Sequence, residues 1–307
     1  MNKFRRLFAR GISILGNRGF FHNMDDGKYL KLIYPYFIGT ELNLNNPITF
    51  NEKLQWLKIH NRKEEFTKMA DKYAVREYIA EKIGEEYLIP LVAGPFENAD
   101  QIDFDSLPNQ FVLKCNHDSG SVIVCKDKNC LDINSARKSL NRHLKNNLYY
   151  GGREWPYKNI KPLIIAEKYM VDENSDPSFI GLTDYKFYCF NGEPKFVYVS
   201  KGLGGDHRFA EISFYDLNWE PTGFIRNDFK PISTQPPKPE NFDKMIELAS
   251  ILSKDIPFLR VDLYEINKKI YFSELTFYPS DGFVDFEPKE WNEKIGNLID
   301  LELVKED

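Results

Sequence analysis

Residues 258–278, FLRVDLYEINKKIYFSELTFY, are rich in β-branched and aromatic residues on both sides of the polar run Asn267-Lys268-Lys269. That pattern predicts a β-hairpin. With Ile266 and Ile270 flanking a three-residue loop, the antiparallel register puts Asp262 opposite Glu274 and Arg260 opposite Thr276. Alternation then places these four side chains on one face and Val261, Leu263 and Leu275 on the other. Carboxylates directly opposite one another have Cβ atoms about 5 Å apart and repel. A cation between them relieves the repulsion, and Mg²⁺ takes oxygen ligands of this kind. Arg260 adds a fixed positive charge beside the pair. The plainer alternative is an exposed hairpin face with Arg260 as counter-ion. A one-residue slip in register would send the carboxylates to opposite faces.

The chain has 307 residues, enough for a large core or two lobes. Hydrophobic residues make up 42% and aromatics 15%, which marks a globular protein. A net charge of −5 argues against a general nucleic-acid binder. Cys115, Cys125, Cys130 and Cys189 form no CxxC pair, and Cys125 and Cys130 have no nearby His partner at zinc spacing, so the four read as reduced, mostly structural thiols of a cytoplasmic protein. No apolar stretch approaches the ~18 residues that span a bilayer. The basic, amphipathic start, MNKFRRLFARGISILGNRGFF, could rest on the anionic inner face of a membrane. The favoured reading is a first helix whose Phe4, Leu7, Phe8 and Ile12 pack on the core.

Along the chain, residues 25–39 read as a helix with Tyr29, Leu32, Ile33 and Tyr36 on one side. Thr49 or Asn51 can cap a helix carrying Leu54, Leu57 and Ile59. Residues 66–89 read as one helix that Gly84 ends, with Asp71 a plausible cap. Asp71-Lys72 could bind an anion there, although a capping Asp and a solvated Lys is the simpler account. In FVLKCNHDSGSVIVCK, residues 111–126, two short strands flank a Gly/Ser loop whose N–H groups suit phosphate oxygens. Lys114 could reach the same phosphates. His117 and Asp118 are adjacent, which suits loop or substrate contacts better than a catalytic dyad.

Residues 133–148 read as a helix, and 151–162 as an aromatic, basic loop with Arg153, Trp155, Tyr157 and Lys158 able to hold a sugar or an acid. LIIAEKYMV, residues 163–171, reads as a buried strand. Residues 183–200 form a hairpin around Asn191-Gly192. Lys186 lies inside its first strand and needs a partner or a ligand. The glycine-rich loop at 201–209 offers Lys201, His207 and Arg208. A Pro-rich connector at 231–241 leads into a helix with Met245, Leu248, Ala249 and Leu252 on one side, and a last helix closes the chain.

Taken together, these pieces resemble the ATP-grasp superfamily, and most closely the TupA-like ATP-grasp proteins of surface-polysaccharide and teichuronopeptide gene clusters. NPITFNEKLQWLK, DKYAVREYIAEKIG, LPNQFVLKCNHDSGS, REWPYKNIKP, IAEKYM, DYKFYCFNGEPKF and the hairpin with PSDGF carry the likeness, over roughly residues 40–300. The resemblance implies an α+β, ATP-grasp fold in which two α+β lobes clasp ATP. The expected organisation is a helical N-terminal extension at 1–65 and an ATP-grasp domain at 66–307, with lobes near 66–165 and 166–307. Lys114 would touch the α-phosphate region, and Ser119, Gly120 and Ser121 would close over the β- and γ-phosphates. Glu167, Lys168, Tyr169 and Met170 would line adenine and ribose. Asp262 and Glu274 would hold Mg²⁺, with Thr276 where many relatives have Asn. Arg260, with Lys186, would act on the transferring phosphoryl group.

The implied activity is an ATP-dependent carboxylate–amine ligase that forms an amide through an acyl-phosphate. The resemblance suggests a uronic acid, free, nucleotide-linked or polymer-borne, as the acid, and an amino acid or amino alcohol as the amine, in capsular polysaccharide biosynthesis. A kinase on the same scaffold shares every nucleotide residue named here. A glycosyltransferase would need a DxD-like motif serving a sugar nucleotide, whereas the Asp262/Glu274 pair spans a hairpin. A non-catalytic partner in a polysaccharide complex would lack nucleotide binding.

Overall fold

A computed structural model of the chain describes residues 7–8, 11–12, 14–16, 18–173, 181–201 and 210–304. Helix α1 (Asp26–Phe37) starts at Asp25, whose side chain accepts from the N–H of Lys28. It buries Tyr29, Leu30, Ile33 and Tyr34, while Leu32 is exposed. The buried stripe is thus rotated from the expected one, because Phe283 and Leu42 cover the Leu30 and Tyr34 side. Pro35 is tolerated in the last turn. Helix α2 (Phe50–His60) carries a full capping box between Thr49 and Glu52.

The single helix expected at 66–89 is two helices, α3 (Glu64–Ala70) and α4 (Val75–Lys82). Asp71 is extended between them, and its carboxylate accepts from the N–H groups of Tyr73 and Ala74. A side chain that bonds the backbone locally competes with a continuing helix. The helix expected at 133–148 likewise ends at α5 (Ile133–His143). Asn147 then caps a separate α6 (Leu148–Gly152).

Two antiparallel sheets follow. The smaller has the order β1-β4-β2-β3, from β1 (Leu91–Phe96), β2 (Phe111–Cys115), β3 (Ile123–Cys125) and β4 (Ile164–Lys168). It packs on α5 through Leu113, Cys115, Leu140 and Ile164. The larger sheet joins β5 (Asp184–Phe190), β6 (Glu193–Lys201), β7 (Glu211–Asp216), β9 (Phe258–Ile266) and β10 (Lys269–Thr276) in the order β10-β9-β5-β6-β7. A two-stranded pairing of β8 (Ile225–Arg226) and β11 (Phe286–Glu287) lies outside both. Helix α7 (Phe242–Ser253) buries Phe242, Met245, Leu248, Ala249 and Leu252 in the same core as Phe187, Val261, Leu263 and Leu275. Each of the Phe, Met, Leu and Val side chains among them contributes about 1.5–3 kcal/mol by leaving water. Helix α8 (Glu290–Gly296) is shorter than the last helix expected and is followed by a single 3₁₀ turn.

The hairpin pairs Asp262 with Glu274 and Arg260 with Thr276, as the sequence predicts, but by a different route. Ile266 pairs with Lys269, so the turn is Asn267-Lys268 alone. Both residues have positive φ, 49° and 64°, as a type I′ turn requires. This tighter turn shifts the pairing by one residue up to Leu263–Phe272. A bulge at Ser273, between Phe272 and Glu274, shifts it back.

At the amino terminus Ile12 is buried and the half-exposed Phe8 ring packs 4.8 Å from that of Tyr36 on α1, whereas Leu7 is exposed. Phe4 lies outside the described residues. Cys115, Cys125 and Cys189 are buried, Cys130 is exposed, and all are free thiols. Among the described residues no helix is long and apolar enough to cross a membrane.

Candidate functional site

Strand β9 lies between β10 and β5, so the hairpin register continues across the sheet. Glu274 pairs with Asp262, Asp262 with Lys186, and Lys186 with Tyr198. The row reads acid, acid, base, with Arg260 one pair further along on the same face. Arg260 donates Nε to Asp262 Oδ1 and Nη2 to Asp262 Oδ2, both at 2.7 Å. The same Nη2 reaches Glu274 Oε1 and Thr276 Oγ1 at 2.9 Å each. Lys186 Nζ donates to Asp262 Oδ2 at 2.7 Å and lies 3.4 Å from Asp184 Oδ1. The five residues expected to form the catalytic and metal group, Arg260, Lys186, Asp262, Glu274 and Thr276, are therefore in one bonded cluster.

Electrostatics separates the two acids. Asp262 is fully buried, and burial pushes its carboxyl up against the pull of Arg260 and Lys186. Burial acts on Glu274 too, but the charges of Lys72, Arg260 and Lys186 outweigh it and bring that carboxyl down to about 2. Burial also opposes the charge on Lys186, yet Asp184 and Asp262 raise it above the usual lysine range. Glu274 keeps a third of its side chain accessible. Among the described residues no group of three or more His, Cys, Asp or Glu side chains forms a ready metal cage. The donor set fits a Mg²⁺ held by one or two carboxylates together with substrate phosphates. Glu274 offers the accessible oxygen, while Asp262 has both oxygens engaged by Arg260 and Lys186.

A cavity of about 840 Å³ separates the two sheets, within the range of small-molecule sites. Lys114 and Glu167 line it from the smaller sheet, and Asp184, Tyr264 and Ser273 from the larger. Lys168 at the end of β4, and Tyr169 and Met170 in the segment that follows it, line it as well. Lys114 Nζ is 2.7 Å from Glu167 Oε2, and Arg76 is 3.8 Å from the other oxygen.

The Gly/Ser loop closes the β2–β3 hairpin. Its polar side chains turn inward. Ser121 Oγ donates to Asp118 Oδ1 at 2.5 Å and accepts the N–H of Cys115 at 2.9 Å. Asp118 Oδ2 is 2.5 Å from His143 Nδ1 on α5. His117 is buried with Nε2 3.1 Å from the carbonyl of Asn146. Ser119 and Gly120 are exposed at the tip, where Gly120 has φ +90° and open space at its Cβ position. The loop therefore presents main chain outward and spends its Asp, Ser and His side chains on its own shape.

The aromatic, basic loop divides. Arg153, also at positive φ, is buried over the Tyr29 ring, donates to the carbonyl of Phe21 and faces Asp26 at 3.1 Å. Trp155 lies under Arg62 and Lys158, about 5 Å from each. Tyr157 is within electrostatic reach of Glu154, Glu274 and Arg260, and burial with the two acids pushes its hydroxyl far up. Lys201 ends β6, opposite Glu211. His207 and Arg208 lie outside the described residues.

Sequence reasoning missed three contributors. Lys72, set aside as solvated, donates Nζ to the carbonyl of Asp118 at 2.7 Å, and its charge does most to draw the Glu274 carboxyl down. Asp184 sits two residues before Lys186 on the same strand face, a spacing that could have marked it. The third is a buried cluster of Lys58, Glu154 and Asp281. Lys58 Nζ donates to the carbonyls of Gly152 and Asp281 and to Gln55, and burial brings it down to about 8 against Asp281 and Glu154. Burial and a shared hydrogen bond with Asp281 raise Glu154 well above the carboxylate range. Ser280, Asp281 and Gly282 are all at positive φ, and Gln55 and Lys58 hold the carbonyls of Asp281 and Gly282. No local pattern joins residues this far apart.

The TupA-like ATP-grasp family model matches residues 52–300 of the chain. The protein belongs to this family. Solved structures with similar folds include D-alanine–D-alanine ligase from Helicobacter pylori, at 15% identity and TM-score 0.41 over 83% of this chain and 67% of that one. The ATP complex of D-alanine–D-alanine ligase from Bacillus anthracis is similar at 13% identity and TM-score 0.37, over 68% of this chain and 53% of that one. A RimK domain ATP-grasp protein from Sphaerobacter thermophilus gives 10% and 0.37, over 76% and 69%. The chain thus spans two thirds or less of the length of the two D-alanine–D-alanine ligases. These superpositions are loose, and the family assignment stands on the sequence match. No curated protein matches the sequence.

Proposed function

We propose that the protein is an ATP-dependent carboxylate–amine ligase. The observation that carries this reading is the Glu274–Asp262–Lys186 row with Arg260 bonded to both acids, beside a cavity lined by Lys114 and Glu167. In the proposed reaction a carboxylate oxygen attacks the γ-phosphorus of ATP, and the bond to the bridging oxygen breaks to release ADP. An amine then attacks the acyl-phosphate carbonyl, phosphate leaves, and the nitrogen loses its proton. Mg²⁺, when bound, would neutralise charge between phosphate oxygens. Asp262 fixes the Arg260 guanidinium through two hydrogen bonds, so its positive charge is pre-oriented toward developing phosphoryl charge. Lys186 holds Asp262 in place from the neighbouring strand. Lys72 keeps Glu274 ionised and ties it electrostatically to the loop at 116–121.

The TupA-like resemblance supports a uronic acid as the acid and an amino acid or amino alcohol as the amine, in surface-polysaccharide biosynthesis. Phosphorus NMR of the protein with Mg-ATP, a panel of uronates and nucleotide-linked uronates, and a pool of amines tests this, with Glu274→Gln as control. ADP and phosphate formed only when acid and amine are both present support the ligase. A persistent new phosphate resonance would make it a kinase. No turnover and no ATP binding would overturn the reading.

A further inference from the structure

A second arginine is held as Arg260 is. Arg226 stands on β8, which pairs with β11 outside both sheets. Its Nε donates to Asp228 Oδ1 at 3.0 Å and its Nη2 to Asp228 Oδ2 at 2.6 Å. Nε and Nη2 of Arg260 donate to the two oxygens of Asp262 in the same way. In each case the carboxylate lies two residues on, and Nη2 also reaches a hydroxyl at 2.9 Å. That hydroxyl belongs to Thr276 at the end of β10 for Arg260, and to Ser280 just beyond it for Arg226. Ser280 is at φ +52°, a left-handed conformation that a non-glycine residue keeps only where its surroundings hold it.

Arg226 lies over the same sheet face as the acidic row. Its guanidinium is 5.7 Å from the centre of the Tyr198 ring, and Tyr198 pairs with Lys186, the basic end of the row. Tyr188, opposite Arg260, is within electrostatic reach of Arg226 as well. Arg226, Tyr188 and Tyr198 are only 6%, 1% and 3% exposed. Asp228 and Ser280 engage Nε and Nη2, but among the described residues no hydrogen bond reaches Nη1 of Arg226 or the hydroxyl of either tyrosine. A buried donor without an acceptor is costly, and an incoming anion relieves that cost. Strand β6 lies two strands from β9, about 10 Å at the usual spacing. Solvent reaches both ends, since the side chains of Glu274 and Asp228 keep 33% and 25% of their exposure.

We propose that Arg226, with the hydroxyls of Tyr188 and Tyr198, binds a second anionic group of the acid substrate, while the reacting carboxylate lies at Arg260. This rests on the ligase reading and narrows its substrate class to acids with two anionic groups. Asp228 and Ser280 position the guanidinium. The second group is a phosphate in a sugar phosphate or nucleotide-linked acid, and a carboxylate in a polymer of acidic sugars.

The test is titration calorimetry of the full chain, saturated with Mg²⁺ and a non-hydrolysable ATP analogue. The probes are methyl glucuronide, glucuronic acid 1-phosphate, UDP-glucuronate and digalacturonate. The three acids with a second anionic group should bind about tenfold tighter than methyl glucuronide, or more, and the tightest of them tells phosphate from carboxylate. Arg226→Gln should abolish this margin and Tyr198→Phe should cut it about threefold, with methyl glucuronide bound as before. Tyr198→Phe keeps the packed ring, so it reads the site even where Arg226→Gln fails to fold. Equal binding of all four probes by the wild type, or an intact margin in either folded variant, would overturn the proposal. So would equal weakening of all four probes, which would leave Arg226 a structural role only. Calorimetry needs no turnover. A full margin with no amide formed from any acid and amine would therefore overturn the ligase reading and leave the anion site, and amide formation without a margin would do the reverse.

Discussion

The Nζ of Lys72 donates to the carbonyl oxygen of Asp118, 2.7 Å away, and the same charge draws down the carboxyl of Glu274. One lysine thus joins the Gly/Ser loop of the smaller sheet to the acidic row of the larger. Glu274 has a folded-state value near 2 against an ordinary 4.5. It therefore contributes stability that is complete above pH 4.5 and is lost as the pH falls toward 2. In Lys72→Met part of this contribution disappears. The stability gap between wild type and variant should be widest above pH 4.5, about 1 kcal/mol, and should close in acid. Urea unfolding at stepped pH measures it, and a gap independent of pH would count against the coupling.

His143 should matter to nucleotide binding without touching nucleotide. Its Nδ1 is 2.5 Å from Asp118 Oδ2, and Asp118 in turn fixes Ser121. His143→Phe leaves a buried carboxylate one partner short and loosens the loop. ATP affinity by calorimetry should fall about tenfold. KM for ATP should rise more than kcat falls.

Removing Asp262 alone strands Arg260 and Lys186 in a buried row. Asp262→Ala should cost about 3–5 kcal/mol in chemical denaturation. Adding Lys186→Met should restore part of that loss, because it removes one of the stranded charges. Additive losses would mean the two side chains are energetically independent.

Deleting Ser273 removes the bulge and extends the register of the turn through the rest of β10. Glu274 would then follow Phe272 directly and still fall opposite Asp262. The deletion and Ser273→Ala, which keeps the bulge, should therefore both retain ATP turnover. Loss of turnover in the deletion alone would show that the bulge itself, and not only the pairing it restores, is needed.

Gly152 is hemmed in by Asp281. An added Cβ would lie 2.3 Å from Asp281 Oδ1. Gly152→Ala should destabilise by about 1–3 kcal/mol. Asp281→Gly in the same chain removes the obstructing carboxylate and suits the backbone there, where φ is +56°. Thermal melting of the double variant should recover much of the loss.

The sequence made the hairpins and the acidic row legible because strand alternation is local and strict. Asp262, Glu274, Arg260 and Thr276 could be placed from spacing alone, even though the real turn is one residue shorter and Ser273 makes up the difference. Strand β1 was not legible, since Gly94-Pro95 reads as loop punctuation while tertiary pairing with β4 holds it extended. The break at Asp71 was hidden by helix-forming neighbours on both sides. His117, Asp118 and Arg153 looked like ligand groups from residue type. Burial assigns their side chains to internal bonds, and burial is not written in local sequence. The Lys58–Glu154–Asp281 cluster joins three distant segments and had no local signature.

Helix α2 bears on how the molecule can be cut. Its Gln55 and Lys58 hold the left-handed backbone at 281–282, and its Phe50, Leu54 and Leu57 belong to the core beneath the larger sheet. A minimal catalytic fragment cannot be obtained by trimming to the first residue of the nucleotide-binding sheets. Such a fragment would expose a hydrophobic scar on the larger sheet and release the loop that follows β10. Expression boundaries for biochemical work should therefore fall before α1.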